Sequence, residues 1–138
     1  MNMFKKKKFN KYEKEKTNKK NPNGTESPIE NKFYNEAVKQ GLKLKVQMKE
    51  GVYRLDFLYE DEDIPSLKVV IEADGAYWHL TNEQKAHDYK RERYLLRKGY
   101  IIIRFMGSEI YKSPIKCVKE TIETINQLKE LRKSYNVK

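Results

Sequence analysis

The sequence predicts an α/β fold in which helices flank a small mixed β-sheet. Helical and strand patterns alternate along the chain in the order helix, three strands, helix, strand, helix. The run LKVVIEA, residues 67–73, is apolar enough to lie inside a sheet. The strand pattern YIIIRF follows directly after a helical pattern that Gly99 ends. With 138 residues, the chain is expected to form a single domain preceded by a tail.

The first helix has a clear start and stop. The stretch SPIE, residues 27–30, offers a serine N-cap, a proline in the first turn and a glutamate at the capping-box position. Gly41 is expected to end the helix. Its apolar stripe consists of Ile29, Phe33, Ala37 and Val38.

Two strands follow as a predicted hairpin. Alternating Leu44, Val46 and Met48 indicate a short strand, and VYRLDFLY, residues 52–59, indicates the second. The polar loop EDEDIPS then leads into the central strand at residues 67–73.

The second half of the chain contains two predicted helices around the last strand. Thr81 and the two residues after it cap a helix that runs to about Lys98, and residues 115–133 form the last amphipathic helix. The apolar positions of the first of these are Ala86, Tyr89, Tyr94 and Leu95.

Composition favours a nucleic-acid partner. The net charge is +10, and ten tyrosines accompany the thirty Lys and Arg residues, so stacking on bases is more plausible than binding to a membrane surface. One cysteine, Cys117, excludes an internal disulfide and is typical of a reducing cytoplasm. No run of about eighteen apolar residues predicts a membrane span.

Residues 1–26 differ from the rest of the chain, residues 27–138, in composition. They hold nine lysines against three glutamates, so six of the ten net positive charges lie here. Two interpretations stay open: a disordered, solvated tail, or an arm that contacts phosphates through its lysines.

Acidic residues are placed on or beside apolar strands. Asp56 lies within YRLDFL, and Glu72 and Asp74 lie at the end of the next strand. If these strands pair, the carboxylates converge at one edge of the sheet, where mutual repulsion makes them costly unless a cation neutralises them. Oxygen ligands of this kind suit magnesium or manganese.

Each acid also has a purely structural interpretation. Asp56 is close enough to Arg54 to form half of a cross-strand ion pair, and Glu72 is placed to pair with a lysine at a strand end. Asp74 followed by glycine is an ordinary turn dipeptide.

His79 follows the acids on the loop that leaves the strand. A neutral imidazole there can take a proton from water or give one to a leaving oxygen, and Asp88 in the next helix is placed to orient it. Tyr77 and Trp78 are core aromatics by default, and their position also allows stacking against bases.

These segments together resemble the very-short-patch-repair-like endonucleases of the PD-(D/E)xK superfamily. The resemblance covers roughly residues 27–128 and rests on SPIE, YRLDFL, VVIEADGAYWH, HDYKRERYLLRKGY and IIIRF. It implies a restriction-endonuclease-like core. The chain also resembles catalytic domains of homing endonucleases with the signature Glu, Asp, His, Asp, which Glu30, Asp56, His79 and Asp88 fit.

The resemblance implies a magnesium-dependent DNA endonuclease, with manganese able to substitute. Asp56 matches the central metal ligand and Glu72 the second acid. Asp74 stands where most of the superfamily has lysine, so either Glu72 or Asp74 is the second direct ligand. Glu30 matches a helix glutamate that reaches the metal through water.

The remaining roles concern protons and DNA. By resemblance, His79 does general acid–base work, Asp88 supports it, and Tyr77 and Trp78 enter the DNA stack. Phosphate-gripping cations are expected at Arg91, Arg93, Arg104, Lys5, Lys6, Lys7 and Lys8. The helix arginines are otherwise a solvated face.

The chain departs from the repair enzymes in two respects. A single cysteine cannot supply their structural zinc site, and no DNA-recognition domain accompanies the Lys-rich tail. A free-standing mobile-element nuclease, a homodimer and a module that takes specificity from a protein partner all stay open. The alternative function is non-catalytic nucleic-acid binding on the same fold.

Overall fold

The computed structural model describes residues 21–75 and 80–136. These residues form four helices and four strands. In chain order they are α1 (Pro28–Lys39), β1 (Lys45–Glu50), β2 (Tyr53–Glu60), β3 (Lys68–Asp74), α2 (Asn82–Arg97), β4 (Tyr100–Met106), α3 (Gly107–Lys112) and α4 (Pro114–Asn136). The predicted α/β class and element order are confirmed, and the short helix α3 is an addition that was not predicted.

The four strands form one mixed sheet in the order β1-β2-β3-β4. β1 pairs with β2 in antiparallel orientation, which confirms the hairpin, and β2 pairs with β3 in the same way. β3 and β4 are parallel. A parallel pair needs a crossover connection, and α2 supplies it. β3 is interior, as predicted. β4 forms one edge of the sheet, and most of its residues are only partly buried.

Helices cover both faces of the sheet. α1, α3 and α4 pack on one face, and α2 packs on the other. Alternation along β3 sends Ile71 to the first face and Val70 to the second. The first core includes Phe33, Phe57, Ile71, Ile110 and Val118, and the second comprises Leu55, Leu58, Val70, Leu95 and Tyr100.

Both predicted helix starts are confirmed. The Ser27 hydroxyl accepts a hydrogen bond from the Glu30 N–H at 3.2 Å. At α2, the Thr81 hydroxyl accepts from the Gln84 N–H, and the Gln84 side chain accepts from the Thr81 N–H, which completes a capping box.

Three residues of the predicted apolar stripes face outward, and one of them is Ala86 of α2. Val38 of α1 is 58% exposed and Tyr89 of α2 is 46% exposed. Val38 lies about 100° around the helix from the buried Ala37, so it falls outside a stripe that Ile29, Phe33 and Ala37 already complete.

Residues 1–20, most of the predicted tail, lie outside the described residues. The last six residues of that tail form a turn beside α1, in which the Asn21 N–H donates to the Thr25 carbonyl at 2.7 Å and Thr25 is fully buried. No helix within residues 21–75 and 80–136 is long and apolar enough to cross a membrane.

Candidate active site

Asp56 lies where the side-chain alternation of β2 breaks. Leu55 packs on the α2 side of the sheet, whereas Phe57, two residues later, packs on the opposite side. In a regular strand these two side chains would share a face. Gln47 lies on β1 between two residues that pair with the neighbours of Asp56, Val46 with Phe57 and Met48 with Leu55, and its φ of 51° is uncommon for a residue other than glycine. The backbone is therefore distorted at the position of the first predicted acid.

The Asp56 carboxylate reaches the carboxyl end of β3. Its Oδ2 accepts a hydrogen bond from the Ala73 N–H at 3.1 Å. Ala73 lies between Glu72 and Asp74, whose side chains share the α2 face because they are two residues apart. The fold thus brings together the acids of β2 and β3 that the sequence singled out.

Glu72 is held by an arginine from α2. The Arg91 guanidinium donates to both Glu72 oxygens, with a distance of 2.7 Å from Nη2 to Oε2, and both side chains are nearly buried. Burial by itself would lower the pKa of Arg91, but Glu72, and then Asp88 and Asp56, raise that pKa above its usual value. A permanent positive charge therefore lies among three carboxylates.

Asp74 is held by an arginine from β4. Arg104 Nη2 donates to Asp74 Oδ2 at 2.9 Å, while Nη1 donates to Asp88 Oδ2 at 2.6 Å and to Glu92 Oε1 at 3.2 Å. Burial would lower the pKa of Arg104, but Asp88 first and Asp74 next raise it. One guanidinium therefore joins the end of β3 to the middle of α2.

Arg91 and Arg104, which were expected to bind phosphates, neutralise the acids in this structure. Arg93, the third such arginine, faces outward. Glu72 forms an ion pair, as its structural interpretation expected, but its partner is an arginine rather than a lysine. Arg54 forms its ion pair with Glu26.

A chain of hydrogen bonds connects the first helix to this cluster. Glu30 is buried, and its Oε1 accepts from Gln47 Nε2 at 2.7 Å. Gln47 Oε1 accepts from Arg54 Nη2 at 2.6 Å, and the Arg54 carbonyl accepts from Arg91 Nη2 at 2.7 Å. Sequence reasoning missed Gln47 and considered Arg54 only as a partner of Asp56, because both are merely the polar members of alternating strands.

The donor chemistry suits a hard cation. Magnesium in proteins is typically bound by one or two carboxylates, with water and substrate phosphate completing the coordination. Asp56, Glu72 and Asp74 supply such oxygens at the carboxyl end of β3. Within the described ranges, no three His, Cys, Asp or Glu side chains are arranged to hold a metal ion, and positive charge comes from Arg91 and Arg104.

Several predicted functional residues lie outside the described residues. They are His79, Tyr77 and Trp78, together with Lys5, Lys6, Lys7 and Lys8. Their assigned roles stay predictions.

Comparison with known proteins gives a family match and a relative. A family model described as REase_MTES_1575, a restriction-endonuclease-like family, matches residues 29–125, which include Glu30, Asp56, Glu72, Asp74, Asp88 and Glu92. A protein of Haemophilus influenzae described as uncharacterized is 36% identical over 73 residues. The aligned segment covers 53% of this chain and 41% of the length of that relative.

Proposed function

The chain belongs to the restriction-endonuclease-like family REase_MTES_1575, and from this membership we propose that it is a metal-dependent endodeoxyribonuclease. The observation that carries the proposal is the gathering of acids around two guanidinium groups at the carboxyl end of β3. These acids are Asp56, Glu72, Asp74 and Asp88. Carboxylates this close repel one another unless positive charge lies between them. In a metal-dependent phosphodiesterase, a bound cation supplies part of that positive charge.

The proposed mechanism assigns the metal to Asp56 and to one of Glu72 and Asp74. Bound magnesium, or manganese in its place, would polarise the phosphate and offset the charge that develops on it. His79 takes the proton of the attacking water or gives one to the leaving 3′ oxygen. Glu30, fixed by Gln47, orients water at the edge of the site.

Arg104 acts as a positioning residue in this mechanism. Its guanidinium bonds both Asp74 and Asp88, and so joins the end of β3 to the middle of α2. DNA is the proposed substrate, and the resemblance noted above favours a nuclease of the repair-like or homing type. A homodimer or a protein partner would supply the sequence specificity.

A second candidate function is nucleic-acid binding without catalysis. The specific observation that favours it is that Glu72 and Asp74 are both engaged by arginines. In a pure binding protein these pairs would be structural and would need no metal.

Cleavage of supercoiled plasmid separates the two candidates. The nuclease nicks or linearises the plasmid with magnesium or manganese, and loses this activity with EDTA or after His79→Ala, with folding of the variant checked by circular dichroism. Plasmid binding without cleavage in either metal would contradict an autonomous nuclease. If a co-purified protein then restores cleavage, the chain is a partner-dependent subunit.

A further inference from the structure

α2 carries a row of positive charge on the side that faces away from the sheet. Lys90, Arg93 and Arg97 are exposed and are spaced three and four residues apart, so they lie on one face of the helix. Leu95, on the opposite face, is fully buried. These three residues, called the α2 stripe, span about 10 Å along the helix at about 1.5 Å per residue.

The charge of the α2 stripe is not neutralised locally. Within residues 21–75 and 80–136, none of its three members forms an ion pair. The acids of α2 that lie nearest in sequence, Asp88 and Glu92, point to the sheet side and bond Arg104.

The exposed face of α4 shows what an ordinary solvated helix of this protein looks like. Its exposed charged residues are of both signs in equal number: Lys116, Lys119, Glu120, Glu123, Glu130 and Lys133. In α2 the exposed charged residues are the three basic members of the stripe and one acid, Glu83 in the first turn, and the exposed side chains of Tyr89 and Leu96 flank the stripe. A single-sign row with an aromatic beside it suits a polyanion.

We propose that the α2 stripe binds the phosphate backbone of duplex DNA that enters the candidate active site. The inference rests on the proposed function for the identity of the substrate. Lys90 lies two residues after Asp88 and about 200° around the helix from it, so the stripe begins about one helix width, roughly 10 Å, from the acid cluster and runs away from it along the helix. DNA that reaches the acids can therefore be held by its flanking phosphates.

Salt-dependent binding tests this surface independently of cleavage. Binding of a fluorescent DNA duplex is measured by anisotropy between 50 and 200 mM salt, with EDTA present so that no cleavage intervenes. The proteins are the wild type, the triple variant Lys90→Gln, Arg93→Gln, Arg97→Gln, and a matched triple with the same charge loss on α4. That control carries Lys116→Gln, Lys119→Gln and Lys133→Gln.

We expect the loss of three phosphate contacts to make the negative slope of log K against log salt less steep by about 2.7. The control triple should change the slope by less than about 1. Equal slopes in the two triples, or tighter binding of wild type to duplex RNA than to DNA, would overturn the inference. Plasmid nicking by the wild type alongside equal slopes would reject the stripe and keep the nuclease. A slope that depends on the stripe, together with no nicking by the wild type, would support the stripe as a DNA-binding surface and reject the nuclease.

Discussion

At the scale of single residues, Arg104 holds the largest number of acids at the candidate active site. It bonds Asp74, Asp88 and Glu92, and all four side chains are at most about a third exposed. Arg104→Met would leave three partly buried carboxylates without their cation, so we expect a loss of about 2–3 kcal/mol in the free energy of unfolding measured in urea.

An exposed ion pair provides the control for this change. Lys45 and Glu60 are 59% and 41% exposed, so Lys45→Met should cost no more than about 0.5 kcal/mol. Equal, small losses in the two variants would show that the Arg104 contacts do not stabilise the fold.

Asp61 is a buried acid outside the candidate active site. Its carboxylate accepts hydrogen bonds from the Tyr59 hydroxyl at 2.6 Å and the Ile64 N–H at 2.9 Å, and it pairs with Lys129 at 3.3 Å. Burial alone would raise the pKa of Asp61, but these partners lower it below its usual value. The loop after β2 is therefore fastened by a charged side chain.

The lowered pKa of Asp61 gives a pH-dependent prediction. The charged form is favoured in the folded state, so its stabilisation is present above the unfolded pKa of about 3.9 and is lost as pH falls through the folded pKa. Asp61→Asn should cost about 2 kcal/mol at pH 7, with the difference from wild type shrinking below about pH 4. A difference that stays constant from pH 7 to pH 3 would contradict this.

At the scale of elements, the start of α2 determines how Asp88 and Arg91 are presented. The capping box between Thr81 and Gln84 fixes that start. Thr81→Ala removes the hydroxyl acceptor and should cost about 1 kcal/mol, as measured by chemical denaturation. Thr124, in the middle of α4, bonds the carbonyl of Glu120, and Thr124→Ala should change stability by less than about 0.5 kcal/mol. A loss in the control as large as that of Thr81→Ala would contradict a capping role.

The same scale shows which elements the sequence can predict. β3 contains the apolar run of residues 69–71, and α1 and α2 begin at side chains that cap them, so local chemistry identifies these three elements. α3 has only six residues, GSEIYK, which is less than two turns. Its start depends on the Glu109 carboxylate accepting from the Met106 N–H, and no apolar repeat has room to develop.

At the scale of the whole molecule, the candidate site was predictable only in part. The convergence of acids follows from strand pairing, because Asp56 and Glu72 lie on adjacent strands. The arginines that neutralise these acids could not be predicted from strand pairing, because Arg91 is 19 residues from Glu72 and Arg104 is 30 residues from Asp74. From the sequence, either arginine was equally compatible with a position facing solvent. Pairings over such distances are set by how α2 packs on the sheet.

The distribution of charge over the molecule links these observations. The chain carries a net charge of +10, yet four of its acids, Asp56, Glu72, Asp74 and Asp88, gather at one end of the sheet, and the α2 stripe lies on the outer side of the helix that carries Asp88. A positive surface that leads to a negative cluster is the arrangement expected of a protein that binds a polyanion and holds a cation at the reacting phosphate.

The most direct test of this arrangement is the rate of plasmid nicking in magnesium by two matched variants. Asp56→Asn removes the charge at the centre of the acid cluster, and Asp63→Asn makes the same change on an exposed loop. Both are compared with wild type after circular dichroism confirms folding. We expect Asp56→Asn to slow nicking by at least about 100-fold and Asp63→Asn to leave it unchanged. Equal nicking rates in the two variants would show that cleavage does not occur at this site.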